Sequence, residues 1–223
     1  MEARYERNIP ALTAAECLAL RTKRVLVVGC GGLGGYIIEQ LARIAVGSLR
    51  VVDGDVFEPS NFNRQLLSET AHLGRSKAHI AADRVRRINP DVQVEGIWTY
   101  LNEGNAPQLL SDCDIVLDAL DNVPSRKVLE KACSHAGIPY IYGAIQGWTA
   151  QAAISMPDDN LMSKLFPPHV SIRDKSVLSF TPALCASMQT ALCVKWLVGR
   201  PVQTGTVYYF DLLNQEFETI PFL

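Results

Sequence analysis

Short apolar runs alternate with amphipathic stretches over the first two thirds of the chain. RVLVVG (24–29), SLRVVD (48–53), VQVEGI (92–97), DIVLDAL (114–120) and PYIYGAI (139–145) are rich in Val, Ile and Leu and read as strands. Residues 36–45, 77–88, 106–110 and 125–136 lie between them with helical spacing. Apolar strands separated by helices imply a parallel sheet covered on both faces, so the pattern predicts an α/β fold, doubly wound and Rossmann-like.

After Ile145 the rhythm changes. WTAQAAIS (148–155) reads as a strand following a tight turn at Gly147, and a helix is expected from about Pro182 to Leu197. TVYYFDL (206–212) and EFETI (216–220), separated by Leu213, Asn214 and Gln215, read as a terminal hairpin. The mostly parallel sheet is therefore expected to be extended by antiparallel C-terminal strands. Residues 157–180, rich in Pro, Asp, Ser and Lys, read as a long crossover loop, and 1–22 as an N-terminal helical arm. One domain spanning 1–223 is expected.

Composition narrows the partners. The chain has 223 residues, 48% hydrophobic, with a formal net charge of -2, which gives no electrostatic reason to expect nucleic acid or an anionic membrane as partner. The dense basic cluster Arg84, Arg86 and Arg87 reads as the solvated face of a helix. No opening signal segment and no apolar run of membrane-spanning length is recognisable, which predicts a cytoplasmic protein. The six cysteines, Cys17, Cys30, Cys113, Cys133, Cys185 and Cys193, form no Cys-x-x-Cys pair and read as buried, reduced thiols. The four histidines, His72, His79, His135 and His169, lack metal-ligand spacing and read as surface or capping residues.

The chemistry starts at Gly29-Cys30-Gly31-Gly32-Leu33-Gly34, glycines that follow a strand and open a helix. Such a loop lets backbone approach phosphate while the helix N-terminus supplies N–H donors. Asp53 ends the next strand, where an acid accepts hydrogen bonds from ribose hydroxyls. A nicotinamide dinucleotide enzyme shares these features. The following stretch holds Asp55, Asn61, Asn63, Arg64 and Gln65, with Lys77 shortly after. Two cations beyond the ribose acid favour ATP, because a triphosphate being cleaved develops negative charge that Arg and Lys stabilise. In LDALDN, Asp118 and Asp121 end a strand at the edge facing the ligand crevice; Asp121, beside Asn122, is the candidate to hold Mg²⁺ against phosphate, and Asp118 to position the turn.

GCGGLG, Asp53-x-Asp55, Asn61-x-Asn63-Arg64-Gln65, Lys77 and Asp121-Asn122, in this order and spacing, resemble the ThiF/MoeB/HesA family, bacterial relatives of ubiquitin-activating enzymes. The likeness runs over nearly the whole chain. It implies an adenylyltransferase: ATP and the C-terminal carboxylate of a small ubiquitin-like sulfur-carrier protein ending in Gly-Gly give an acyl-adenylate and pyrophosphate. The resemblance assigns the glycines to the phosphates, Asp53 to the ribose, Asn61, Arg64, Gln65 and Lys77 to the triphosphate, and Asp121 to Mg²⁺ and the reacting phosphate. Arg7 matches an arginine that relatives place in the ATP site of the neighbouring subunit, which implies a homodimer. The Cys-x-x-Cys pairs of zinc-binding relatives are absent, so no zinc is expected, and PDDNLMSKLFPP stands in the equivalent loop. No cysteine lies between Cys133 and Cys185, which puts transfer to an enzyme thiol in doubt; Cys185 reads as packing.

Crossing of the carrier's tail by the 157–180 loop would let Leu161, Met162, Leu165 and Phe166 bind it, against the alternative that they form a satellite core under the loop. The leading alternative activity is adenylation of a small carboxylate, as in the dehydratases that cyclise threonylcarbamoyl-adenosine in tRNA. An NAD(P)-dependent oxidoreductase and a catalytically idle scaffold remain as readings from other classes.

Overall fold

The apolar runs assemble into one eight-stranded sheet of order β3-β2-β1-β4-β5-β6-β7-β8. The strands are β1 (Arg24–Val28), β2 (Ser48–Val52), β3 (Gln93–Ile97), β4 (Ile115–Asp118), β5 (Tyr140–Gln146), β6 (Thr149–Ser155), β7 (Thr206–Asp211) and β8 (Glu216–Pro221). The first five pair in parallel and the last three antiparallel. This structure is a computed structural model that describes residues 3–167 and 176–222.

The buried strands alternate between two cores, as the period of two requires. Val25 and Val27 face one cluster with α2 (Gly32–Arg43), α3 (Lys77–Ile88) and α7 (Phe180–Leu197). Leu26 and Val28 face the other, with α4 (Ala106–Leu110), α5 (Val123–Ala136) and α6 (Leu161–Leu165). Helices on both faces make this the doubly wound arrangement that the strand pattern implied. β4 is buried throughout and β1 beyond its exposed first residue Arg24, whereas every residue of β8 is exposed at the sheet's edge.

The helices start and stop on local signals. Ser76 accepts from the His79 N–H at the start of α3, Asn122 accepts from the Ser125 N–H at the start of α5, and Gly137 (φ 67°) ends α5. The basic cluster on α3 is solvated but paired: Arg84 bridges to Glu39 at 2.8 Å and Arg86 to Asp83 at 2.8 Å. In the arm, a 3-10 turn over Ala3–Asn8 precedes α1 (Ala14–Leu20), which opens with a Thr13–Glu16 capping box.

Three expectations need correction. The 157–180 segment is not loop throughout: Leu161–Leu165 form α6, with Leu161 and Met162 fully buried in the second core. The α2 helix begins at Gly32 rather than Tyr36, so three of the glycines are helical. Residues 168–175, which include His169, lie outside the described residues. His72, expected as a surface or capping residue, is buried with Nδ1 2.8 Å from the Leu67 carbonyl.

Candidate functional site

The chain leaves β1 for β2 on one side and later enters β4 on the other, so the loops after β1 and β4 part at the topological switch point. A cleft of about 530 Å³ opens there, along the C-terminal ends of the parallel strands. Its size lies within the range of small-molecule sites.

The glycine loop forms the floor. Gly29 has φ +102°, and a Cβ there would stand 2.4 Å from the Ala119 carbonyl oxygen, so only glycine lets β1 and β4 meet this closely. Gly31 caps α2 without a side-chain hydrogen bond, and Gly31, Gly32 and Leu33 line the cleft. The first-turn N–H groups of a twelve-residue helix thus open on the cleft, a ready anion site. Gly34 stands outside the lining. A Cβ on it would sit 1.8 Å from the Gly29 oxygen, so it seats the helix on the strand.

Asp53, directly after β2, lines the cleft with both carboxylate oxygens engaged: Oδ2 accepts from the Cys30 N–H at 2.7 Å and Oδ1 from the Asp55 N–H at 2.8 Å. Burial pushes its carboxyl up despite these bonds. Asp55 goes the other way. The upward push of its burial is outweighed by the Tyr100 hydroxyl at 2.7 Å and the Lys77 ammonium at 3.2 Å, which hold it below the usual carboxylate range. Lys77 opens α3 and is only 6% exposed, yet it lines the cleft.

Arg64 and Gln65 reach the same wall from the loop after β2. Asn61 does not; its Oδ1 accepts from the Glu58 N–H at 3.1 Å and its carbonyl from the N–H groups of Arg64 (3.2 Å) and Gln65 (3.0 Å). It therefore builds the turn that presents both. Arg64 donates to the Ser60 carbonyl and to Asn63 Oδ1, each at 2.9 Å, and Asn63 is tied to the Val177 carbonyl at 3.1 Å. Gln65 is 7% exposed, and its Oε1 is a buried acceptor without a hydrogen-bond partner among the described residues. An unpaired buried polar atom beside the glycine loop is what a polar ligand would satisfy.

The third wall follows β4. Asp121 and Asn122 line the cleft, Asp121 exposed and Asn122 committed through its oxygen to capping α5. Below them lies an ion pair that the motifs did not point to. Arg126 donates to Asp118 Oδ2 at 2.9 Å, to the Gly143 carbonyl at 2.7 Å and to the Leu120 carbonyl, and its guanidinium lies 5.1 Å from the Tyr142 ring centroid. Asp118, wholly buried, also accepts from the Tyr140 hydroxyl and from the Leu120 N–H at 2.8 Å. No local signal points to the pair, because Asp118 on β4 and Arg126 on α5 lie eight positions apart and meet only in the fold.

Residues 99–101 complete the cleft, and Tyr100 too was missed by motif reading. Phe166 lines it from beyond α6, but Leu161 and Met162 do not. No cysteine lines it: burial drives the Cys30 thiol far up, and raises Cys185, whose Sγ donates to the Gln151 carbonyl at 3.2 Å, to about 12. Among the described residues no group of three His, Cys, Asp or Glu could hold a metal ion, and no helix is long and apolar enough to cross a membrane. Arg7 is exposed on the N-terminal 3-10 turn, which is anchored by the Tyr5 hydroxyl to Asn89 (3.0 Å) and Asp91 (3.3 Å). Those partners lie beyond the far end of α3 from Lys77, and a twelve-residue helix spans about 18 Å. Arg7 is thus remote from the cleft of its own chain.

The chain is 36% identical over 210 residues to the SAMP-activating enzyme E1 of Haloferax volcanii, covering 91% of this chain and 78% of that protein. It is 33% identical over 233 residues to a sulfur carrier protein adenylyltransferase of Thermus thermophilus, covering 97% and 86%. A probable adenylyltransferase/sulfurtransferase MoeZ of Mycobacterium tuberculosis is 34% identical, but the chain spans only 59% of its length. Among solved structures, E. coli MccB with ATP superposes with a TM-score of 0.80 at 18% identity, over 100% of this chain and 71% of that one. PaaA superposes with a TM-score of 0.80 at 22% identity, over 93% and 66%; both likenesses concern the fold. With the ThiF family profile matching residues 5–222, almost its entire length, the chain belongs to the ThiF family.

Proposed function

We propose that this protein is an ATP-dependent adenylyltransferase that activates the C-terminal carboxylate of a small ubiquitin-like sulfur carrier ending in Gly-Gly. The observation that carries the reading is the convergence at one switch point of a ribose acid (Asp53), two cations (Arg64 and Lys77), an uncapped helix N-terminus and an exposed acid (Asp121). Relatives above 30% identity that are named for this activity support it.

The substrate carboxylate is ionised at neutral pH and needs no general base. One of its oxygens attacks the α-phosphorus of ATP, an O–P bond forms, and the bond from that phosphorus to the bridging oxygen breaks, releasing pyrophosphate. The chain's part is alignment and charge neutralisation. The α2 N-terminus and Gly31–Gly32 cradle the phosphates, Asp53 and the unsatisfied Gln65 oxygen receive hydroxyl or amino donors of the nucleoside, and Arg64 and Lys77 offset the charge of the departing pyrophosphate. Asn61 holds the turn carrying two of these groups. Asn122 sets the β4–α5 corner. A divalent cation, which we assign as Mg²⁺, would neutralise phosphate charge, and Asp121, exposed on the cleft wall, would hold it. Such a reaction on ATP fits a cytoplasmic enzyme.

Residues 3–222 form the adenylation domain in this reading, with Phe166 and the crossover segment beside the carrier's tail. Arg7, remote from its own cleft, serves the cleft of a second copy in a homodimer. ATP–pyrophosphate exchange, measured with each small Gly-Gly-ending protein of the same genome, tests the activity; exchange should appear with at least one and vanish in Lys77→Met. Absence of exchange with all of them moves the assignment to a small carboxylate. Mixing inactive Arg7→Ala and Lys77→Met proteins should restore about a quarter of wild-type exchange, since half the dimers are mixed and each carries one intact site. Full activity of Arg7→Ala alone refutes the trans role.

A further inference from the structure

The β3–α4 stretch contains an aromatic clamp that none of the roles above uses. Trp98 Nε1–H donates to the Gly54 carbonyl at 2.9 Å, and the Tyr100 ring covers Gly54 so closely that a Cβ there would stand 2.5 Å from the ring. Glycine at position 54 is thus the seat of that ring. The hydroxyl reaches past it to Asp55 Oδ1 at 2.7 Å, while Oδ2 of the same carboxylate receives Lys77 Nζ at 3.2 Å. The two oxygens of one carboxylate therefore join an aromatic residue of the cleft wall to a buried cation. Asp53 and Arg64 are the other charged groups on this wall.

A lysine is a point charge on a flexible four-carbon stem, so its effect on a phosphate depends on what holds the ammonium. The Asp55 side chain is itself substantially exposed (52%) and sits on a turn, so it needs a second anchor to hold anything. Tyr100 supplies that anchor. We infer that Tyr100 is a positioning residue for phosphate chemistry: through Asp55, it fixes Lys77 in the orientation that meets charge developing on the departing pyrophosphate. This inference rests on the adenylation reading and deepens it.

Tyr100→Phe keeps the ring on Gly54 and deletes only the hydroxyl. A hydrogen bond to a charged group is lost, and because alignment matters most in the transition state, kcat of carrier-dependent exchange should fall about tenfold while KM for ATP moves by about twofold or less. The effect should disappear on an Asp55→Asn background, since Tyr100 acts through Asp55. Equal kcat in Tyr100→Phe and wild type overturns the inference, as does an undiminished loss on the Asp55→Asn background. A carboxyl-carbon NMR titration gives a readout independent of turnover: Asp55 should titrate higher in Tyr100→Phe than in the unsubstituted protein, and an unchanged titration overturns the tether. Failure of the adenylation reading is distinguishable, because it leaves the unsubstituted protein without exchange while the Asp55 titration still reports on Tyr100.

Discussion

Replacing Arg126 with methionine tests whether the floor under the β4–α5 corner is held by its buried ion pair. Arg126 is 6% exposed and Asp118 fully buried, and the guanidinium spans three acceptors on two strands and a loop. Methionine fills much of the volume but leaves the Asp118 carboxylate without its cation and the Gly143 carbonyl without that donor. Breaking a buried pair from one side costs about 3–5 kcal/mol, because the remaining charge stays desolvated. In a chain of this size that is a fall in melting temperature of about 6–20 °C. Urea unfolding of wild type and Arg126→Met measures it. The double variant Asp118→Leu/Arg126→Met should recover a large part of the loss, since removing both charges also removes the desolvation penalty. The reasoning is refuted if Arg126→Met costs less than about 1 kcal/mol, the scale of an exposed pair. It is refuted equally if the two single losses add in the double variant. Because Arg126 also holds the Leu120 carbonyl, next to Asp121, Arg126→Met protein that is still folded should show reduced exchange.

Three further outcomes follow from packing and charge. Gly34→Ala drives a methyl to 1.8 Å from the Gly29 oxygen and should destabilise by about 3 kcal/mol or more, whereas Gly35→Ala, whose Cβ meets Leu67 at 3.4 Å, should be tolerated; thermal melting of the two separates them. Arg200, doubly bonded to Glu16 at 2.5 and 2.8 Å, together with the Thr13 N–H holds that carboxyl at about 2. Its folded value lies below its unfolded one, so its stabilisation is present above about pH 4.5 and is lost as pH falls toward 2. Protection of the α1 amides, the intrinsic exchange rate at each pH relative to the observed one, should fall over that window in wild type, and Glu16→Gln should remove the acid dependence. Cys185→Ala should leave exchange kinetics intact, since the buried thiol itself does not line the cleft and reaches the lining only through a weak 3.7 Å contact to the Ala144 carbonyl; loss of carrier-dependent turnover in a folded Cys185→Ala protein would make it a participant.

The centre of the sheet was legible because its strands are buried on both faces: Val25, Leu26, Val27 and Val28 form an uninterrupted apolar run, with neighbours assigned to opposite cores. The helix over 77–88 was equally plain, with a serine cap before it and alanines along its buried side. The start of α2 was not, because helix propensity counts Gly32, Gly34 and Gly35 as breakers, while in the fold the helix begins there and close backbone approach to Gly29 requires the glycine at position 34. Five-residue α6 has no period to detect; it is stabilised from outside, by Leu161 and Met162 in the core and by Glu130, which accepts from the Met162 N–H at 3.0 Å. Burial raises the Glu130 carboxyl, which marks this acceptor as part of the interior.

The same division runs through the cleft. Residues that line the cleft cluster in short local patterns, because strand ends and helix starts limit where a phosphate can be approached; hence Asp53, Arg64, Lys77 and Asp121 were readable as candidates and stand on one wall or another. Residues that orient them draw their partners from elsewhere in the chain. Tyr100 meets Asp55 across 45 positions, and Arg126 meets a carbonyl of β5, so neither pairing leaves a local pattern. Asn61 shows the converse: a motif position assigned to the triphosphate has its side chain spent on the Glu58 turn, one step behind the residues it presents. A motif in this fold therefore marks the phosphate neighbourhood as a unit, and only the hydrogen bonds separate the groups that face the cleft from those that aim them. Orientation is thus the part of the site in which two chains with identical motifs can differ, and Tyr100 is where this chain exerts it.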